Sequence, residues 1–263
     1  MLTNSSFDAS GDVLSILFQR RWDNGLDASL GYSYVDGEDV SPMTSAVAAS
    51  NFTNLALIDL NNPRPGASNY VVPHRFTLRA SLGRDFFGDN ETRFTLYAFA
   101  KEGQPQSFAM GSGDLEGDGF FGRHLLYVPD GPTDPNVVFA DSFQTDEFFA
   151  WVQRMGFGPG FVARNSTHAR WSNRVDFGVH QEFPLGASRL KGRFYVKMYN
   201  LLNFINDDWG KVYDAPFFTP RVVDASVNAA GQYVFEDFTE RSVTDLLENR
   251  SLWVARWGFE IRF

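Results

Sequence analysis

The chain has 263 residues, 43% of them hydrophobic, with 27 Phe, no Cys and a formal net charge of −9. Its length allows one large domain or two small ones, while the acidic balance without a basic stripe speaks against nucleic acid as a partner. The lack of cysteine removes disulfides and thiolate metal sites, and no apolar run approaches the roughly 18 residues of a membrane helix. The opening MLTNSSFDASGD has neither the basic start nor the apolar core, about 7 to 15 residues long, of a secretory signal.

Regular alternation begins soon after. In DVLSILFQRRW, Leu14, Ile16, Phe18 and Trp22 alternate with Ser15, Gln19 and Arg21; in LDASLGYSYV, Ala28, Leu30, Tyr32 and Tyr34 alternate with Asp27, Ser29 and Ser33. A period of two puts the apolar set on one face of a strand and the polar set on the other. Between them, Asp-Asn-Gly predicts a three-residue hairpin loop with Gly25 in the left-handed region, Trp22 opposite Leu26 and Arg21 opposite Asp27.

The same grammar returns after a long polar loop at 36–72. Phe76, Leu78, Ala80 and Leu82 lead to the turn FGDN, and Phe94, Leu96, Ala98 and Ala100 then share a face opposite Thr95, Tyr97 and Lys101. A second long loop, 102–172, holds GDLEGDG, where Asp114, Glu116 and Asp118 followed by Gly119 imitate the first half of a calcium loop. The bidentate closing position falls on Leu125, so a solvated acidic turn is the plainer reading. Farther on, TDEFFAWVQRMGFG predicts one short loop helix, with Thr145 as cap, Asp146 and Glu147 in the first turn and Gly156 as the stop. Phe148, Phe149, Val152 and Met155 form its apolar stripe, which either packs onto its own loop or touches a ligand.

Val175, Phe177 and Val179 run to PLGAS, and Leu190, Phe194, Val196 and Met198 continue beyond it. Pairing Phe183 with Leu190 would set Glu182 against Lys191 and Asp176 against Lys197. After a third long loop, 205–251, the chain ends on SLWVARWGFEIRF, in which Trp253, Ala255, Trp257, Phe259, Ile261 and Phe263 face away from Arg256, Gly258, Glu260 and Arg262. Trp257, Phe259, Ile261 and Phe263 are the expected assembly signal, captured by strand addition.

The connections segregate. Tight turns at 23–25, 87–90 and 184–188 lie at one end, and the three long loops lie at the other. An outer-membrane barrel has this asymmetry, with short periplasmic turns, long extracellular loops, an apolar outer face and a polar lumen. The expected fold is therefore all-β: an antiparallel up-and-down transmembrane β-barrel portion of about seven spanning strands, near 13–22, 26–35, 75–86, 92–101, 174–183, 190–200 and 252–263. Tyr32, Tyr34 and Trp253 would mark the outer rim, and Trp22, Phe86, Phe183 and Phe263 the periplasmic rim. Because single-chain bacterial barrels use an even strand number, the odd count and the missing signal predict the C-terminal piece of a larger barrel. The alternative is a small autonomous outer-membrane barrel with a structural, adhesive or pore role, its extra strand coming from residues 1–11 or from the hairpin around NAAGQ at 228–232. A soluble β-rich binding module is the third reading.

Several stretches carry a resemblance: RRWDNGLDASLGYSYVDGEDVSPMTSAVAASNFTN (20–54), GDLEGDGFFGRHLLYVP (113–129), RVDFGVHQEFPL (174–185), YNLLNFINDDWG (199–210) and the terminal RWGFEIRF. In this order they resemble the end of the Oar-like TonB-dependent receptors. That resemblance implies a barrel of about 22 strands, of which this chain would supply the last seven. It also implies ligand binding at the surface of a Gram-negative cell and uptake driven by the TonB complex, with adhesion or protein secretion as associated roles. Outer-membrane lipids and the barrel-assembly machinery are the implied partners. The plug, the TonB box and the N-terminal domain have no counterpart in these residues, so contact with TonB belongs to the missing part.

No enzyme is expected. His74, His124, His168 and His180 are too scattered for zinc, and no cofactor other than the calcium candidate is indicated. Ser172, Asp176 and His180 read as lumen-facing polar residues, as do the charges Arg79, Lys101, Arg174, Lys197, Arg256 and Glu260. The N-x-S/T triplets at Asn51 and Asn165 read as chance.

Overall fold

The computed structural model describes residues 7–59, 61–111, 113–115, 117, 119–186 and 190–262. Seven long strands dominate it: β1 (Ser10–Arg21), β2 (Leu26–Asp39), β3 (His74–Phe87), β4 (Asn90–Lys101), β5 (Ser172–Pro184), β6 (Lys191–Tyr199) and β7 (Val254–Arg262). They form one antiparallel meander in chain order, with the short strand Gly66–Ala67 added beside the end of β2.

The hairpins set the register. Trp22 N–H donates to the Leu26 carbonyl at 2.8 Å and Gly25 sits at φ 84°, as the Asp-Asn-Gly turn demands. Gly25 is also irreplaceable in space, because a Cβ there would stand 2.2 Å from the Gly83 carbonyl oxygen on β3. Arg21 meets Asp27 at 3.2 Å. The β5–β6 hairpin departs from expectation: Phe183 pairs with Gly192, two positions beyond Leu190, and Leu185 N–H donates to the Leu190 carbonyl instead. A shift of two keeps every side chain on its face, so hydrophobic pattern alone cannot detect it. Glu182 consequently accepts from Arg193 at 2.9 Å as well as Lys191 at 3.4 Å, while Asp176 pairs with Arg174 on its own strand at 2.6 Å rather than with Lys197.

The core is not where a soluble sheet would have it. Among the described residues, no buried hydrophobic side chain lies on β1 to β7. The core is built by the loops, which were expected to be polar. A mixed five-stranded sheet, in the order Val137–Phe139, Tyr233–Phe238, Arg221–Val227, Ala109–Met110, His124–Leu125, joins the second and third loops. Helix α1 (Thr145–Met155) packs on it through Phe148 (0% exposed) and Trp151 (1%). Trp151 makes edge contacts with Phe108 and Phe157, and Phe148 meets Phe235 and Phe238 in the same way. The first loop joins through Leu57, whose backbone bonds Arg123 and Leu125 at 3.0 and 2.9 Å.

Three expectations are corrected here. There are nineteen strands in five sheets among the described residues, not about seven: ten of the others are two or three residues long and show no periodicity, and Arg221–Val227 and Tyr233–Phe238 lie inside the third long loop. Four helices stand where one was expected; Ala48–Thr53, Leu201–Ile205 and Glu248–Ser251 are too short for a helical period. The sheet is open: β1 and β7 each keep one edge without a strand partner among the described residues, and no barrel closes. The hairpin around 228–232 is no spanning strand either, since it joins two strands of the loop sheet. Of residues 1–11, the first six lie outside the described residues and Ser10 already belongs to β1.

Helix α1 itself starts differently from its sequence reading. Gln144, not Thr145, occupies the cap position, and its side-chain amide bonds Asp237 (3.0 Å) and the Phe238 N–H (2.8 Å) instead of capping. Gly156 does end the helix, at φ 71°.

Candidate functional site

The three long loops meet around a cavity of about 280 Å³. Its floor begins where β4 ends, with Pro105–Gln106 paired antiparallel to Thr167–His168. Gln106 uses its whole amide locally: Nε2 donates to the Pro216 carbonyl at 2.6 Å, and Oε1 accepts from Ser107 N–H at 3.0 Å. Ser107 Oγ donates to Asn165 Oδ1 at 3.0 Å and accepts from Asn165 N–H at 2.7 Å. Asn165 then donates to the Ala67 carbonyl (2.7 Å) and Asn69 Oδ1 (2.5 Å). These bonds hold Asn165 at φ 55°, which costs a non-glycine residue on the order of 1 kcal/mol.

Arg164 is the buried charge of the site. Its guanidinium donates to Asp39 Oδ1 (2.9 Å), to the Gly66 carbonyl (2.7 Å), to the Val40 carbonyl (3.1 Å) and to the Asp39 carbonyl. Gly66 leaves room for it, since a Cβ there would stand 2.9 Å from Arg164 Nε. The end of β2 is thereby tied to the second loop, and the positive charge is neutralised in place.

The cavity wall is completed by groups with few internal commitments. No hydrogen bond engages the side-chain amides of Asn54 and Gln104 among the described residues. Tyr70 and Phe217 are 64% and 73% exposed. Asp214 Oδ1 accepts from Ala215 N–H at 3.0 Å, which fixes the loop that carries Phe217.

Asn200 positions the third loop. Left-handed at φ 56°, it donates through Nδ2 to the carbonyls of Gly210 (2.9 Å) and Ser251 (2.6 Å), and its own N–H bonds Asp176 at 2.9 Å. Gly210 must be glycine, because a Cβ would meet Asn200 Oδ1 at 2.1 Å. The segment YNLLNFINDDWG is thus a clasp that closes both ends of a loop.

The sequence-singled residues do not converge on this cavity. Ser172, Asp176 and His180 lie on one face of β5 but about 13 Å apart along the strand for each step of four. Ser172 Oγ instead bonds the Tyr213 backbone, accepting from its N–H at 2.8 Å. His74 bonds the Tyr32 hydroxyl at 3.0 Å, His124 the Tyr233 hydroxyl at 2.9 Å, His168 stands 4.0 Å from Glu102, and His180 stacks on Tyr195. Of the calcium candidates, Glu116 and Asp118 lie outside the described residues, and Asp114 Oδ2 accepts from Gly119 N–H at 2.8 Å. Among the described residues, no three His, Asp or Glu side chains gather as a metal site. Trp257, Phe259 and Ile261 line the apolar face of β7, and Phe263 lies outside the described residues.

Sequence reasoning missed Gln104, Gln106, Ser107 and Arg164, and met Asn165 only within a chance triplet. The available signal was position for Gln104, Gln106 and Ser107, which follow the end of β4 closely, where polar residues serve loop packing or ligand; Arg164, deep in the second loop, carried none. Comparison of the chain with protein-family models, curated proteins and solved structures returns no match.

Proposed function

We propose that this chain is the C-terminal barrel portion of a TonB-dependent outer-membrane receptor of the Oar-like type, contributing to ligand binding and uptake in the full-length protein. One observation carries the reading: the apolar face of the seven-stranded sheet is uncovered, while the buried core lies wholly in the loops. Leu14, Ile16, Phe18, Leu30, Phe194 and Trp257 stand at 42–77% exposure on that face. In water such a surface exceeds by far what a monomer exposes; in a bilayer it is the outer wall of a barrel.

Further features support it. The opposite face carries Arg79, Glu182, Arg193, Arg174 and Asp176, as a lumen requires. Aromatic clusters sit at both ends: Tyr32, Tyr34, His74, Phe76 and Trp171 toward the long loops, with Phe204 against Trp253 at 5.1 Å, and Phe183 against Phe259 at 5.5 Å toward the tight turns. The open edges of β1 and β7 need partners in hydrocarbon, which the rest of a larger barrel would supply. The partners are outer-membrane lipids, the assembly machinery through β7, and TonB only through an N-terminal part. The role is binding and transport, not catalysis, and nucleic acid is no partner.

The test is expression behind a secretory signal, then membrane fractionation and an unheated gel. A band in the outer-membrane fraction that shifts on boiling favours the small autonomous barrel, whereas a chain that requires detergent and shows no band shifted by boiling supports the reading as a portion of a larger barrel. A chain that stays soluble and monodisperse without detergent overturns it.

A further inference from the structure

We infer that the cavity between the three loops binds the end of a neutral oligosaccharide. The inference rests on the receptor reading for its location, since only that reading puts the loops outside the cell; the recognition chemistry is local. A sugar presents a rim of hydroxyls around an apolar C–H face, so it calls for side-by-side donors and acceptors together with flat aromatic surfaces.

The cavity offers both. Asn54 and Gln104 present uncommitted amides, each a donor pair beside an acceptor, and Thr44 and Thr219 add hydroxyls to the wall. Tyr70 and Phe217 border the same space as large exposed rings, and Phe218 braces Phe217 edge-on with centroids 4.9 Å apart. The wall behind is rigid, because Gln106, Ser107 and Asn165 bond one another and the backbone. Rigid polar walls with a few free polar groups bind without first being ordered.

Charge disfavours anionic ligands. Among the described residues of the lining Arg164 is the one cation, and its terminal nitrogens are already taken by Asp39 and three carbonyls, which leaves a phosphate or carboxylate only the buried Nε. The other formal charge among the described residues of the lining is the carboxylate of Asp214, which disfavours anions further. A peptide bound by strand addition would need a free strand edge here. The strand that enters the cavity, Pro105–Gln106, is instead paired to Thr167–His168 and begins with proline, which has no N–H to give.

The experiment titrates the folded 263-residue chain in an amine-oxide detergent, whose headgroup is no sugar, with maltohexaose, cellohexaose and mannohexaose by calorimetry. Folding is read in the same sample from the heat-shifted band and from the blue-shifted part of the tryptophan emission, to which the buried Trp151 contributes. The expected result is saturable binding of at least one hexasaccharide, weakened roughly tenfold in Phe217→Ala and in Gln104→Ala without loss of the band. A folded chain that binds none of the three, or whose affinity survives both substitutions, overturns the inference and leaves the receptor reading intact. Binding of an acidic oligosaccharide or a peptide digest in place of the neutral sugars overturns it equally. A chain with neither shifted band nor buried-tryptophan emission shows that the loops do not form their cavity without the rest of the barrel, which overturns the inference for these residues and leaves the receptor reading intact.

Discussion

Phe259 on β7 stands directly opposite Phe194 on β6, and both rings are largely uncovered, whereas the next residue, Glu260, faces the other side of the sheet opposite Arg193. Adjacent positions on one strand therefore face opposite sides of the sheet, which the receptor reading assigns to lipid and to water.

Phe259→Asp should destabilise the membrane-folded state by at least about 2 kcal/mol, through lost apolar burial and a charge in hydrocarbon. Glu260→Gln should change it by less than about 0.5 kcal/mol, because Arg193 retains Glu182 at 2.9 Å. Urea titration of the heat-shifted band in micelles measures both. Equal sensitivity at the two positions would mean that the faces are assigned wrongly.

Trp151→Ala should loosen the loop layer alone. Its ring packs against Phe108, Phe148, Phe157 and Phe238, all outside the long strands, and removing it costs about 3–5 kcal/mol of local stability. Protease added to intact cells should then cut the second loop, while the boiled-versus-unboiled gel shift persists. Joint loss of shift and protection would show that loops and sheet fold as one unit.

Acid should act on the same layer through Asp134. Backbone N–H groups of Asn136 and Asp130, each at 2.8 Å, and the Tyr127 hydroxyl at 3.0 Å favour its ionised form and hold its carboxyl below the usual range. A pKa depressed by folding gives stability that is complete above the unfolded value, about 3.9, and is lost as pH falls through the folded value. The loops should thus keep their Asp134-dependent stability from pH 7 down to roughly pH 4 and lose it below. Asp134→Ala should lose about 1–3 kcal/mol already at pH 7 and show a flatter acid response. Tryptophan emission during urea unfolding at pH 7, 5 and 3, with Trp151→Phe as the control that isolates its share of the six tryptophans, decides this; an unchanged acid slope in Asp134→Ala would remove Asp134 as the cause.

Little of the candidate site was legible beforehand. Arg164 meets Asp39 across 125 positions of sequence and Ser107 meets Asn165 across 58, and no local period links such pairs. The aromatic stripe of α1 announced a packed helix, yet Trp151, its most deeply inserted indole, lay outside the stripe as read at spacings of one, four and seven.

Alternation by itself determined the seven long strands, their two faces and the asymmetry of tight turns against long loops, because pleating couples every side chain to a face through its immediate neighbours. It also determined the left-handed glycine at Gly25, since only that backbone closes so short a turn. The tertiary structure alone decided the register of Phe183 with Gly192, the open edges of β1 and β7, and the burial of the core inside the loops. Those depend on which distant segments meet, and a shift of two residues or a three-residue strand leaves the local pattern unchanged.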